Sequence, residues 1–159
     1  IKVAITGGIG VGKTYICNIS KQMGYSIFSS DQVSKKLVYE NTFVRDQIKF
    51  FFGEDIIENE KINRKKLATQ VFSNKKKLKK LNEIIHPLVK KEFDKWLSNR
   101  YDEKVVFKEA AILFEANSQK NLDYVVCVSA KLQDRINRVM QRDKVDSDSV
   151  EKRISMQMP

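Results

Sequence analysis

The stretch Gly7-Gly8-Ile9-Gly10-Val11-Gly12-Lys13-Thr14 leaves few folds open to this chain. It matches G-x-x-x-x-G-K-[ST], and its flanks match as well: Ile1 to Thr6 is short, β-branched and apolar, and helical periodicity begins near Gly12. Four of the six glycines, Gly7, Gly8, Gly10 and Gly12, sit in this loop, and none follows Gly53. Glycines let successive N–H groups turn toward one point, with no Cβ to obstruct a phosphate. The helix behind them aims the positive end of its dipole at the same point. The loop therefore predicts binding of a nucleoside triphosphate. Gly8, Ile9, Gly10, Val11, Gly12, Lys13, Thr14 and Tyr15 are the expected nucleotide-binding residues, with Lys13 reaching the β- and γ-phosphates and the Thr14 hydroxyl placed for Mg²⁺.

The rest of the pattern fixes a class. A helix is predicted from about Gly12 to Met23, with Ile16, Ile19 and Met23 on one face and Gly24 as its stop. Tyr25 to Phe28 reads as a second strand. From Ser30 to Trp96 the periodicity is helical, with Leu37, Phe43, Val44, Ile48, Phe51 and Phe52 supplying apolar faces. Ile62 to Phe72 and Leu78 to Leu97 are predicted helices, the second interrupted near His86-Pro87. Strand character returns at Val105-Val106-Phe107 and Tyr124 to Val128, with a short helix or turn at Ala110 to Phe114. Lys131 to Arg142 is strongly amphipathic, and Ser147 or Asp148 is the expected cap of a last helix. This order predicts an α/β fold with a mostly parallel sheet and a helical insertion after strand two. Residues 1–30 and 104–159 would form the nucleotide-binding core, with a lid at about 131–150, and residues 31–103 the insertion.

Composition narrows the function classes. With 159 residues and 42% apolar side chains, the chain can build a core, and disorder is excluded as its main state. No apolar run approaches the ~20 residues of a membrane span. Cys17 and Cys127 show no metal-ligand spacing, and both read as buried thiols in a reducing cytosol, so a cytoplasmic protein is expected. The chain opens on Ile1 rather than Met, which points to a trimmed start. The net charge of +10 lies between Lys61 and Arg100, where thirteen basic residues face only Glu83, Glu92 and Asp94. Such a block is either a solvated helix face or a surface for a polyanion, whether a phosphorylated substrate or nucleic acid. Only Phe72, Phe93 and Trp96 are interleaved with it for base stacking, which argues against nucleic acid.

The loop leaves the reaction open. A guanine-reading N-K-x-D is missing, since Asn74-Lys75-Lys76-Lys77 lacks the aspartate, and no D-x-x-G occurs. A small-molecule kinase needs an acidic residue near the acceptor and basic residues over the transferring group. Asp31 directly follows the second strand, at the sheet edge where open α/β sheets bind ligands. It could orient an acceptor hydroxyl, take its proton or help hold Mg²⁺, and it could also cap a helix starting near Gln32. Arg138 and Arg142 share a helix face at i and i+4, either as a phosphate clamp or as a solvated face eased by Asp134 and Asp143. Another P-loop small-molecule kinase and a P-loop nucleic-acid-binding ATPase remain as alternatives.

Several motifs in fixed order resemble the dephospho-coenzyme A kinase family. Ile5 to Thr14 resembles its phosphate loop, and Asp31 the second aspartate of its D-A-D signature. Leu81-Asn82-Glu83-Ile84-Ile85-His86-Pro87 is similar to its L-N-x-x-x-H-P segment, and Glu109 to Glu115 to its strand-end motif. Arg138 to Asp143 resembles its lid helix, and Ser155 to Pro159 the stretch after the lid. The resemblance implies a P-loop kinase fold in three layers and transfer of the ATP γ-phosphoryl group, with Mg²⁺, to the ribose 3′-hydroxyl of dephospho-coenzyme A. It implies catalytic roles for Asp31, Lys13, Arg138 and Arg142, and substrate contacts from Asp31, His86, Leu113 and Glu115. No nucleic-acid or membrane partner is implied. Ser29 departs from the first aspartate of D-A-D, Tyr15 from a small residue and Ala111 from a proline. The family pattern continues a few dozen residues past Pro159, completing the sheet and adding adenine contacts, so a truncated C-terminus is expected.

Overall fold

The computed structural model describes residues 1–158 and divides into two compact units, Ile1–Asp31 with Arg100–Pro159, and Gln32–Asn99. The first unit is built on four parallel strands, β1 (Lys2–Thr6), β2 (Ser26–Ser29), β5 (Val106–Glu109) and β6 (Tyr124–Cys127), in the order β2-β5-β1-β6. The chain leaves β1 toward β2 on one side and leaves β5 toward β6 on the other. Connections diverging in this way open a crevice at the carboxyl ends of the central strands. Ala4 and Ile5 on β1 and Val106 on β5 are buried, as inner strands require. Ala4 packs with Ala110 and Leu113 from the turns after β5.

Helix α1 (Lys13–Gln22) follows the loop and packs on β1, β2 and β5. Its buried positions are Lys13 and Cys17, one turn apart, whereas Ile19 and Met23, expected on the core face, are exposed. Four-residue spacing from Lys13 sets the buried stripe, and the apolar residues lie a quarter-turn or more off it. Later in this unit, α6 (Leu132–Asp143) and α7 (Ser147–Ser155) pack on each other through Ile136, Val139 and Val150. The cap of α7 is Asp146, whose carboxylate accepts the Ser149 N–H at 2.7 Å, in place of the expected Ser147 or Asp148.

The second unit is largely helical. It holds most of α2 (Ser30–Glu40), with α3 (Thr42–Phe52), α4 (Arg64–Phe72) and α5 (Lys75–Ser98). Asn41, Asn63 and Asn74 cap the last three, each accepting a first-turn N–H. On α3 the buried stripe is Val44, Ile48 and Phe52, while Phe43 and Phe51 are exposed. A two-residue hairpin, β3 (Ile57–Glu58) with β4 (Lys61–Ile62), interrupts the expected helices and turns at Asn59 and Glu60, both at positive φ. Asn59 suits that conformation, but glutamate rarely adopts it, so Asn59-Glu60 carries only part of the usual turn signal. Helix α5 runs unbroken through Pro87, contrary to the expected interruption. The proline forfeits one backbone bond, and Ile85, Val89 and Phe93, buried on both sides of it, hold the helix together. Among the described residues no helix is long and apolar enough to cross a membrane.

Cys17 is 2% exposed as expected, but Cys127 is exposed. Strand β6 pairs on one side with β1, and all four of its residues are exposed, so an apolar sequence here does not mean burial. Burial, reinforced by the Glu109 charge, pushes the Cys17 thiol up to about 11. A disulfide reagent at pH 8 is therefore expected to titrate one thiol rapidly in the native chain and the second only on unfolding. Cys127→Ser should abolish the fast phase, and Cys17→Ser should leave it intact.

Candidate active site

The phosphate loop leaves the carboxyl end of β1 and enters α1 through Gly12, which has φ +104° and no side-chain cap. No acidic residue occupies the first turn of α1. The contrast with α3, α4, α5 and α7 is informative, because each of those has an Asn or Asp cap. An uncapped N-terminus leaves N–H groups and the positive dipole end available to an anion. Val11 is buried under the loop, and the Tyr15 N–H is held by the Gly12 carbonyl at 3.0 Å while its side chain is exposed.

Lys13 is 8% exposed, and its ammonium donates to the carbonyls of Gly7 and Gly8 at 2.7 and 3.0 Å. Burial lowers its pKa, the charges of Asp31 and Glu109 raise it, and those of Arg135 and Arg142 lower it again. Lys13, Asp31 and Arg142, singled out separately in the sequence, thus share one electrostatic neighbourhood. Asp31 lies in the first turn of α2, which begins at Ser30, so it is not the cap of a helix starting near Gln32. Its negative charge there is favoured by the helix dipole.

Glu109 was not singled out as a site residue, although it ends β5 beside β1. Its carboxylate is buried, accepting from the Thr14 hydroxyl at 3.0 Å and from the Ser29 hydroxyl at 3.1 Å. A charged residue closing an inner parallel strand was the available signal. Arg135, which recurs with Arg138 and Arg142 at helical spacing, and Gln157, in the stretch after the lid, had likewise been given no role in the site. Arg135 Nε donates to the Ile9 carbonyl at 3.0 Å, and Gln157 Oε1 accepts the Ile9 N–H at 2.8 Å.

Of the two arginines expected over the phosphates, Arg138 donates to the Gly10 and Val11 carbonyls at 3.3 and 3.4 Å. Arg142 is exposed and bidentate on Asp143, at 2.7 and 3.1 Å, and Arg153 donates to the same carboxylate at 2.7 Å. Leu113, an expected substrate contact, has 0% exposure and its side chain belongs to the core with Ala4 and Ala110. Glu115, the other, is exposed and accepts the Met158 N–H at 3.0 Å, so it links two chain segments. It lines a cleft of about 230 Å³ beside the loop, together with Gly8, Phe114, Ser129 and Arg135. His86 lies on α5 in the second unit.

A glycine-rich loop at the carboxyl edge of a parallel sheet, with a buried lysine among carboxylates and arginines, assigns this chain to the P-loop kinases. The comparisons then fix the family. The family model for dephospho-CoA kinase matches residues 1–159. A dephospho-CoA kinase of Bacteroides fragilis is 35% identical over 158 residues, covering 99% of this chain and 77% of the relative. One from Salinibacter ruber is 38% identical, covering 98% and 80%. A crystal structure of a Thermus thermophilus protein superposes with TM-score 0.86 at 30% identity, over 100% of this chain and 81% of the other. The dephospho-CoA kinase of Campylobacter jejuni gives TM-score 0.67 at 27% identity, over 98% and 79%. The chain belongs to the dephospho-CoA kinase family, enzymes that phosphorylate dephospho-CoA with ATP in coenzyme A biosynthesis.

Two outcomes follow from this geometry. Gly10 has φ +81°, and a Cβ there would meet the Arg135 carbonyl oxygen at 2.6 Å. Gly10→Ala is expected to weaken nucleotide binding by about tenfold or more, since such strain costs ~1–3 kcal/mol, with helix content by circular dichroism retained. Arg142, and then Arg153, hold the Asp143 carboxyl below its ordinary 3.8. A depressed carboxylate lends stability that is complete above its unfolded value and is lost as pH falls through its folded value. Asp143→Asn should lower Tm at pH 7 and flatten its decline below about pH 4.

Proposed function

We propose that this chain carries out its family's reaction with Lys13, Asp31, Glu109 and Arg138 as the principal residues, donor phosphates lying on the uncapped N-terminus of α1. The observation that supports this most directly is the buried Lys13 ammonium, within electrostatic reach of both Asp31 and Glu109. ATP binds with its β- and γ-phosphates at the loop N–H groups, and Lys13 exchanges the Gly7 and Gly8 carbonyls for phosphate oxygens. Asp31 orients the ribose 3′-hydroxyl of dephospho-CoA and takes its proton as the oxygen attacks the γ-phosphorus. The bond to the β–γ bridging oxygen breaks, and ADP leaves. Arg138 and Arg142 bear on the charge that spreads over the transferring group.

Among the described residues no group of three or more His, Cys, Asp or Glu could hold a metal by itself. The Thr14 hydroxyl and Glu109 carboxylate are nevertheless hard oxygen donors beside the phosphate site, the donor type that suits Mg²⁺, which takes few protein ligands when phosphates supply the others. Thr14 and Glu109, the latter through water, would hold it. Bound there, Mg²⁺ would neutralise charge on the β- and γ-phosphates. The basic face of α4 and α5, where Lys65, Lys75, Lys76 and Lys79 are exposed, suits the phosphates of the acceptor, and His86 on α5 would belong to the acceptor side. A reducing cytoplasm fits two unpaired cysteines.

The purified chain with ATP, Mg²⁺ and dephospho-CoA should form coenzyme A and ADP in equal amounts, read by chromatography. Asp31→Asn should lower kcat by about 10²-fold or more with KM for ATP little changed. Turnover of a nucleoside or a sugar in place of dephospho-CoA would overturn the proposed acceptor, and near-wild-type kcat in Asp31→Asn would remove the proposed base.

A further inference from the structure

Ile9 is held on three sides by residues far away in sequence. Its N–H donates to Gln157 Oε1 at 2.8 Å, and its carbonyl accepts from Arg135 Nε at 3.0 Å. Its side chain packs against the cluster of Ile136, Val139 and Val150 that joins α6 to α7. The neighbouring glycines leave room for the same contacts. A Cβ on Gly8 would collide with the Arg135 guanidinium and lie 3.6 Å from Gln157 Oε1, and one on Gly10 would meet the Arg135 backbone. Gly10, at φ +81° and against the Arg135 backbone, is therefore required by protein packed against the outside of the loop, independently of any phosphate inside it, while Gly8 leaves the Arg135 guanidinium its place.

Gln157 is itself fixed. Its N–H donates to the Ile154 carbonyl at 3.1 Å, and the next residue, Met158, donates its N–H to Glu115 at 3.0 Å. The acceptor offered to Ile9 thus comes from a segment tied both to α7 and to the turns after β5. On the other side, Lys13 holds the carbonyls of Gly7 and Gly8. A phosphate loop binds through the direction of its N–H groups, which is set by the peptide planes of residues such as Ile9.

We propose that Gln157 and Arg135 are positioning residues for the phosphoryl donor, fixing the Ile9 peptide groups and so the curvature that turns the loop N–H groups toward phosphate. This deepens the kinase reading and rests on it. In this role the two act through Ile9, whose N–H and carbonyl they hold.

The test is calorimetric titration of ADP in Mg²⁺ buffer, without acceptor, on the whole chain and on Gln157→Leu, which keeps the size of the side chain and removes the acceptor. The Kd for ADP should rise about tenfold, the usual consequence of leaving one part-buried N–H unmatched. KM for ATP should rise with it, while KM for dephospho-CoA stays within about twofold, a split that general loosening of the fold does not produce. Arg135→Lys keeps the charge but loses the fixed Nε–H, and should act in the same direction. In the double variant the losses should fall short of multiplying, because both side chains hold one residue. ADP affinity within twofold of wild type in Gln157→Leu would overturn the proposal, as would equal weakening of ADP and dephospho-CoA or fully multiplicative losses. Should Gln157→Leu fail to fold, wild-type ADP affinity in Arg135→Lys would overturn it. Failure of the kinase reading looks different: wild type would bind ADP and form no coenzyme A.

Discussion

One carboxylate ties the working end of the sheet together. Glu109 closes β5, the strand lying between β1 and β2, and its two oxygens accept from Thr14 beyond β1 and from Ser29 at the end of β2. Three segments far apart in sequence are thereby brought to one buried charge. Leaving that charge unmatched would be costly, so its presence obliges hydroxyls on both neighbours. Ser29 is accordingly more than a departure from an acidic signature. With an aspartate at that position, two carboxylates would face each other, and a hydroxyl can donate where a carboxylate cannot.

The same charge acts on Lys13. Placing an ammonium in a nearly closed setting costs solvation, and the carboxylates of Asp31 and Glu109 offset part of that cost while Arg135 and Arg142 add to it. The cation is poised rather than locked, since its present partners are the neutral carbonyls of Gly7 and Gly8. An anionic phosphate is a better partner than a carbonyl. Exchange of the one for the other is thus favourable without any rearrangement of the sheet. The bare N-terminus of α1 adds to this, since with glycine at the cap it forgoes a side-chain hydrogen bond, at a cost of roughly a few tenths of a kcal/mol, that an anion can offset.

The fold was legible where periodicity and glycine chemistry decide structure. The loop, the parallel sheet and the helical stretch after β2 could all be read from residues within a few positions of one another. Failures came where tertiary context decides. Apolar β6 lies at the edge of the sheet with its four residues exposed, and periodicity carries no information on strand order. Pro87 is tolerated because both flanks of α5 are buried. Within the candidate site, Gly8 to Thr14 and Asp31 were named from local pattern, whereas Glu109, Arg135 and Gln157 were given no role there. Their contacts are hydrogen bonds spanning 80 to 148 residues, which no local spacing encodes. The structure puts the Leu113 side chain in the core and Glu115 on the Met158 N–H, a division that nothing in Ile112-Leu113-Phe114-Glu115 encodes.

Helix α6 divides into two halves with different obligations. Its first turns are committed to the loop through Arg135 and Ile136, with the Ile9 side chain seated against the α6–α7 cluster. Its last turn presents Arg142 on the surface, held by Asp143, whose carboxylate is shared with Arg153 of α7. Arg138 stands between, with two long hydrogen bonds to loop carbonyls. Motion of a rigid helix about an anchored end displaces its far end most. Lifting the first turns of α6 off the loop would expose the Ile9 carbonyl together with an apolar cluster, whereas Arg138 and Arg142 are held through hydrogen bonds alone. The carboxylate of Asp143 is then a competitor as well as a support. A phosphate that draws Arg142 inward must offer more than a bidentate pair with a partly buried carboxylate, the geometry in which such pairs are strongest. The first half of α6 is thus anchored to the loop, and its last turn is held through Asp143, which ties it to α7.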